Sequence, residues 1–147
     1  MMRARSAVLA CLLPLAACAA FRQERSWSDD LAKADAAQIA GTVATLVAER
    51  VPPKDGTMIA LAPANGVSGN EVDALLNKTL QERGYRLGKV EEKSAEVHHL
   101  RYLITSYGGG YVLRVSLDGS EATTAFSRMQ SGELVAGAPL TIREAVR

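Results

Sequence analysis

Ser68-Gly69-Asn70-Glu71 opens a helix that Gly84 closes, and extended apolar runs stand on either side of it. Serine followed three residues later by glutamate is a capping box: the hydroxyl accepts from the third amide while the carboxylate reaches back to the cap. Val72, Leu75, Leu76, Thr79 and Leu80 recur at helical spacing and give that helix one apolar face. Gly84 supplies the left-handed residue after the last turn. Ahead of the helix, Thr57 to Ala62 is a small-to-apolar run bounded by Gly56 and Pro63, the pattern of a buried strand. The loop Pro63 to Val67 links the two, and Tyr85-Arg86-Leu87 starts a second extended piece. Strand, capped helix and strand make a βαβ-type or split βαβ unit, which must lay its helix on a sheet.

The flanking segments extend that sheet. Ser28 is placed to cap an earlier helix, with Asp29 and Asp30 in its first turn, where the macrodipole favours negative charge. Ile39, Val43, Leu46 and Val47 form its core stripe, and Pro52-Pro53 stops it before the turn Lys54-Asp55-Gly56. Further on, Leu100 to Tyr107 and Tyr111 to Leu117 read as strands joined by Gly108-Gly109-Gly110. In the second of them large apolar residues alternate with Arg114 and Ser116, so one face is buried and one is not. Asp118-Gly119-Ser120 turns the chain into Glu121 to Met129, a further strand, and the residues from Gly132 onward form a last hairpin or lie along the sheet edge. The expected architecture is α+β, with two helices packed on one face of a mainly antiparallel sheet.

The N-terminus has the three-part layout of a secretory signal. Arg3 and Arg5 precede the apolar run Ala7 to Leu13, Pro14 breaks it, and small residues lead to Cys18. The run is too short to span a bilayer. Leu15-Ala16-Ala17-Cys18 resembles the lipobox of bacterial lipoproteins. That resemblance implies cleavage before Cys18, a diacylglycerol on its sulfur and an acyl chain on its new amino group. Each buried methylene contributes about 0.8 kcal/mol, so several chains on one residue anchor durably where one does not. Ala19 and Ala20 lack the aspartate that favours inner-membrane retention in lipoproteins of Gram-negative bacteria, which implies the periplasmic face of the outer membrane. The expected organisation is a lipoprotein signal peptide over 1–17, a lipidated tether over 18–28 and a single α+β periplasmic domain over 29–147.

Charge and cysteine content narrow the function. Of 17 basic and 16 acidic side chains, Arg3 and Arg5 leave with the signal, so the remainder is close to neutral. Such a balance gives no electrostatic case for direct nucleic-acid binding. Cys11 also leaves and Cys18 is consumed by lipid, so no thiol remains for a disulfide, a zinc site or a nucleophile. The core must hold the fold alone.

No residue pattern carries chemistry. His98 and His99 are strand neighbours that point to opposite faces and cannot share a metal. Gly108-Gly109-Gly110 lies between two strands and lacks the following helix that a phosphate loop needs. Asp29-Asp30 suits a helix start and Glu91-Glu92 a solvated turn, and there is no Gly-x-Ser-x-Gly elbow. The reading is therefore no enzyme, no cofactor, no metal and no evident small-molecule substrate, which leaves binding or assembly.

Several segments together resemble the TrbH family of conjugal transfer lipoproteins. Trp27 stands before the Ala-rich helix, and Pro52-Pro53 precedes the strand Met58 to Ala62. Leu76 and Leu80 lead into Gly84-Tyr85, Leu100-Arg101-Tyr102 opens the sheet, and Ala138-Pro139-Leu140-Thr141-Ile142-Arg143 closes the chain. The resemblance implies a structural role in a mating-pair-formation apparatus, a type IV secretion system, with other envelope subunits of the conjugation channel as partners. Candidate contact points are Trp27, the tip Gly108, Gly109 and Gly110 with Tyr107 and Tyr111, and any open sheet edge. The plainer reading of Tyr107 and Tyr111 is a cross-strand pair supporting the hairpin. A competing reading is a periplasmic ligand-binding or envelope-maintenance lipoprotein unrelated to conjugation, which a lined apolar pocket would favour.

Overall fold

A computed structural model describes residues 25–144. The signal, Cys18 and the first part of the expected tether lie outside the described residues. Within them the chain runs β1 (Ser26–Ser28), α1 (Lys33–Arg50), β2 (Met58–Leu61), β3 (Ala64–Asn65), α2 (Gly69–Glu82), β4 (Arg86–Leu87), β5 (Val97–Tyr107), β6 (Gly110–Leu117), β7 (Ser120–Arg128) and β8 (Leu134–Arg143). All the strands join one mixed sheet in the order β3-β1-β5-β6-β7-β8, with β2 paired to both β4 and β5. Strands β5 to β8 form an antiparallel meander, while β1 to β4 pair in parallel. This is the α+β class read from the sequence.

Strand β5 is the spine. Its first half runs beside β2, with Val97 to Leu100 opposite Met58 to Leu61, and its second half takes β1, with Leu103 and Ile104 opposite Trp27 and Ser28. Alternation along β5 and β6 sends Leu100, Tyr102, Ile104, Leu113, Val115 and Leu117 to one side, where they meet both helices in a single core. Helix α1 contributes Ala36, Ile39, Ala40, Val43, Ala44 and Val47, a seam at three- and four-residue spacing whose small members let the helix lie close. Helix α2 contributes Val72, Leu76 and Leu80.

The βαβ unit forms as read, since β2 and β4 pair in parallel with α2 between them. Its closing end follows the sequence. The Gly84 amide donates to the Gln81 carbonyl and the Tyr85 amide to Leu80, a Schellman arrangement that needs the positive φ of 95° at Gly84. Its opening end does not. Ser68 stands at the N-cap but makes no side-chain bond within its own helix. Its hydroxyl instead accepts from the Leu31 amide at 2.9 Å, tying the segment before α1 to the start of α2. A tertiary partner has displaced the local one.

Ser28 does not cap α1 either. Ser26–Ser28 is a strand, both serines are wholly buried, and α1 starts later from Ala32 without a side-chain cap. The Ser26 hydroxyl accepts from the Tyr102 amide, so this short segment, read from sequence as tether, is inside the sheet. Residues 118 and 119 make the β6–β7 turn with positive φ at both positions, as the Asp-Gly pair leads one to expect.

Candidate interaction surface

Trp27 is set by the carboxylate two residues on. Its indole nitrogen donates to Asp29 Oδ1 at 2.9 Å, while Asp29 Oδ2 accepts from the Ser106 amide at 2.8 Å. The Ser106 backbone bond first, and the indole bond second, hold the Asp29 carboxyl below its ordinary range. One aspartate thus fastens the indole across the junction of β1 and β5, where Trp27 stays 37% exposed.

Tyr107 and Tyr111 separate. The two-residue turn Gly108-Gly109 sets Tyr107 opposite Gly110 and Tyr111 opposite Ser106. The two rings therefore leave opposite faces, and the cross-strand tyrosine pair does not form. Tyr107 is 76% exposed on the side away from the helices. Tyr111 is on the helix side, where its hydroxyl donates to Asp35 Oδ2 at 3.3 Å. Burial, and then the Asp35 charge, raise its phenol above the ordinary value. Gly110 is not part of an exposed tip. It is buried beneath β7, and a Cβ there would lie 1.9 Å from the Phe126 carbonyl oxygen. Of the six expected contact residues, Trp27, Tyr107, Gly108 and Gly109 are exposed, Tyr111 is half-buried and Gly110 is buried.

What the sequence reading missed is the face on which Trp27 and Tyr107 stand. Register places Leu103 beside both Trp27 and Arg114, Arg101 beside Ser116, and Thr105 beside Val112. It continues through Arg114 to Thr123 and Thr141, and pairs Glu121 with Arg143. Arg101, Arg114 and Arg143, with Arg86 at the far edge through Met58 and Val97, therefore share the face opposite the helices with two aromatic rings. Marking the polar position in each alternating strand would have found them singly, and only the register assembles them.

Two hollows open on this face. A groove of about 590 Å³ is lined by residues including Ala60, Ala62, His99, Arg101, Ser116 and Glu121. A smaller hollow of about 170 Å³ lies among Arg114, Glu121, Thr123, Thr141 and Arg143. On the helix side, an apolar pocket lined in part by Leu46, Val115 and Ile142 holds about 70 Å³, and a more open hollow of about 490 Å³ lies between α1 and β8, lined in part by Gln38, Thr42, Leu46 and Ala136. Ligand cavities usually span roughly 300 to 1,000 Å³.

The histidines point apart, as strand neighbours must. His98 Nδ1 lies 2.6 Å from Asp118 Oδ2, while the His99 amide donates to the other oxygen of the same carboxylate. Among the described residues no three histidine, cysteine or acidic side chains cluster to hold a metal, and no helix is long and apolar enough to cross a membrane.

Compared with known proteins, the chain matches the family described as conjugal transfer protein TrbH over residues 20–145. No match was found among curated proteins or among solved structures. The match runs through every strand and both helices described above, and so through the arginine-bearing face as well as the core. This chain belongs to the TrbH family of conjugal transfer proteins.

Proposed function

We propose that the chain is an outer-membrane lipoprotein, anchored through Cys18, that acts as a structural component of a conjugative type IV secretion apparatus and not as an enzyme. The family match over residues 20–145 carries this reading. It is supported by a sheet with one face built for a core and the other furnished with Trp27, Tyr107 and arginines, the residue types that dominate protein interfaces. The lipobox-like Leu15-Ala16-Ala17-Cys18 supplies the anchor, and the outer membrane follows from Ala19 and Ala20. The ligand-binding alternative draws on the groove of about 590 Å³, but its lining mixes His99, Arg101 and Glu121 rather than forming an apolar chamber.

Deleting the gene from a conjugative plasmid tests this. Transfer frequency should fall while growth of the host is unchanged, and the wild-type gene should restore it. Complementation with Cys18→Ser should not, because the unacylated chain leaves the outer-membrane fraction. Normal transfer by the deletion strain would remove the assembly role. Full outer-membrane retention of Cys18→Ser would remove the anchor.

A further inference from the structure

The face of the sheet turned away from α1 and α2 has a composition unlike the rest of the surface. Arg101, Arg114 and Arg143 stand on it with Trp27 and Tyr107. Among the described residues no strand carries a lysine: Lys33 and Lys78 are on helices, and Lys54, Lys89 and Lys93 are in loops, the last two flanking Val90 at the rim of the groove. Arginine on the strands matters, because the planar guanidinium grips a carboxylate in two places while an ammonium acts as a point charge. Aromatic rings beside arginine are enriched in protein contacts.

We propose that this face docks an acidic segment of another protein, an extended stretch in which carboxylates alternate with apolar side chains. The period of a strand suits the surface. The hollow between Arg114 and Arg143, with the Thr123 and Thr141 hydroxyls as further donors, takes a carboxylate. Leu103 and Val112, half-buried between the arginines and the rings, take the apolar side chains. Size decides for a segment over a globular body. Five strands at about 4.8 Å spacing and seven residues of about 3.3 Å each cover on the order of 550 Å². A stable globular contact uses about 800 Å² per partner.

Charge also decides against a membrane as occupant. Glu121 lies among the arginines and Asp29 beside the indole, so an anionic bilayer pressed onto this face meets two carboxylates at close range. A single side-chain carboxylate in the hollow instead meets Arg114, Arg143 and two threonine hydroxyls against the one carboxylate of Glu121. The identity of the partner as another envelope subunit rests on the assembly role proposed above; the chemistry of the face does not.

Trp27 is the only tryptophan of the chain, so its emission reports occupancy of the face directly. The full-length chain in a non-ionic detergent would be titrated with an octapeptide of alternating glutamate and valine, and separately with its lysine–valine counterpart. The acidic peptide should shift the emission and bind at least about tenfold tighter than the basic one. The double variant R114E/R143E should lose that preference by about tenfold, and R114Q alone, which keeps size and polarity, by about threefold. K78E, on the outer side of α2, should bind as the wild type does. Equal binding of the two peptides, or full binding by R114Q, overturns the proposal. So does a shift produced by phosphatidylglycerol vesicles but not by the acidic peptide, which would make the face a lipid contact. A mating defect on gene deletion is a separate measurement, so the assembly role and this docking chemistry can each fail alone.

Discussion

The Asp35 carboxylate of α1 receives the guanidinium of Arg128 at the far end of β7, while the Tyr111 hydroxyl of β6 donates to the same oxygen. A charge on the first turn of the longer helix is therefore shared by two strands of the meander. Asp35 is 5% exposed, and both of its partners are polar groups from distant parts of the chain. Where the helix lies over the sheet is fixed at this point.

Asp35→Ala removes the shared acceptor and strands the Tyr111 hydroxyl beside the core. It should cost about 2 kcal/mol, the range for breaking a largely buried polar contact. In a domain of this size that lowers Tm by about 8 °C. Thermal melting followed by circular dichroism checks this, and an unchanged melt would mean that the helix is placed by apolar packing alone.

Ser68 and Glu71 separate a capping box from the tertiary bond that is present. Ser68→Ala leaves the buried Leu31 amide without its acceptor and should cost about 1 kcal/mol. Glu71→Ala should change stability by less than about 0.5 kcal/mol, as for an ordinary surface position. Equal losses in urea denaturation would show the capping box forming in solution after all.

Asp29 carries a pH dependence. Its folded-state pKa lies below the ordinary value of 3.8, because the Ser106 amide and the Trp27 indole both donate to the ionised form. Its contribution is complete above the unfolded-state value and is lost as pH falls through the lower folded-state one. Acidification through that window should release the indole and shift Trp27 emission. Asp29→Asn should show a flatter profile over the same range, and identical profiles would mean that the carboxylate does not hold the ring.

The same substitution at two glycines should have opposite signs. Gly110→Ala drives a methyl group into the Phe126 carbonyl and should cost about 2 kcal/mol or more through forced separation of β6 and β7. Gly41→Ala, on α1 with nothing within 4 Å of the new carbon, should stabilise by about 0.5 to 1 kcal/mol by removing backbone entropy from the unfolded chain. Paired denaturation curves decide it.

Much of the fold is legible where local chemistry and tertiary structure agree. The end of α2 at Gly84, the strand Met58–Leu61 and the alternation along β6 all follow from turn chemistry and periodicity. Ser26–Ser28 was illegible, because a three-residue strand with serines facing inward shows no apolar alternation. Those serines become core residues only through parallel pairing with β3 and β5, which are distant in sequence. The Ser68 hydroxyl misleads for the same reason, since its partner at Leu31 is 37 residues away. Tyr107 and Tyr111 look like partners across a glycine tip, yet a turn of two residues instead of three puts them on opposite faces. The arginine face shows the limit most plainly: Arg101, Arg114 and Arg143 belong to three strands, and no single-strand pattern announces that they meet.

Strand β1 enters the sheet between β3 and β5, not along an outer rim, and the Ser26 hydroxyl receives the amide of Tyr102, the largest wholly buried side chain. Any tug on the polypeptide ahead of Ser26 is consequently delivered to the middle of the molecule, in line with the strand. Tension arriving that way must shear β1 past two neighbours at once instead of peeling one bond after another.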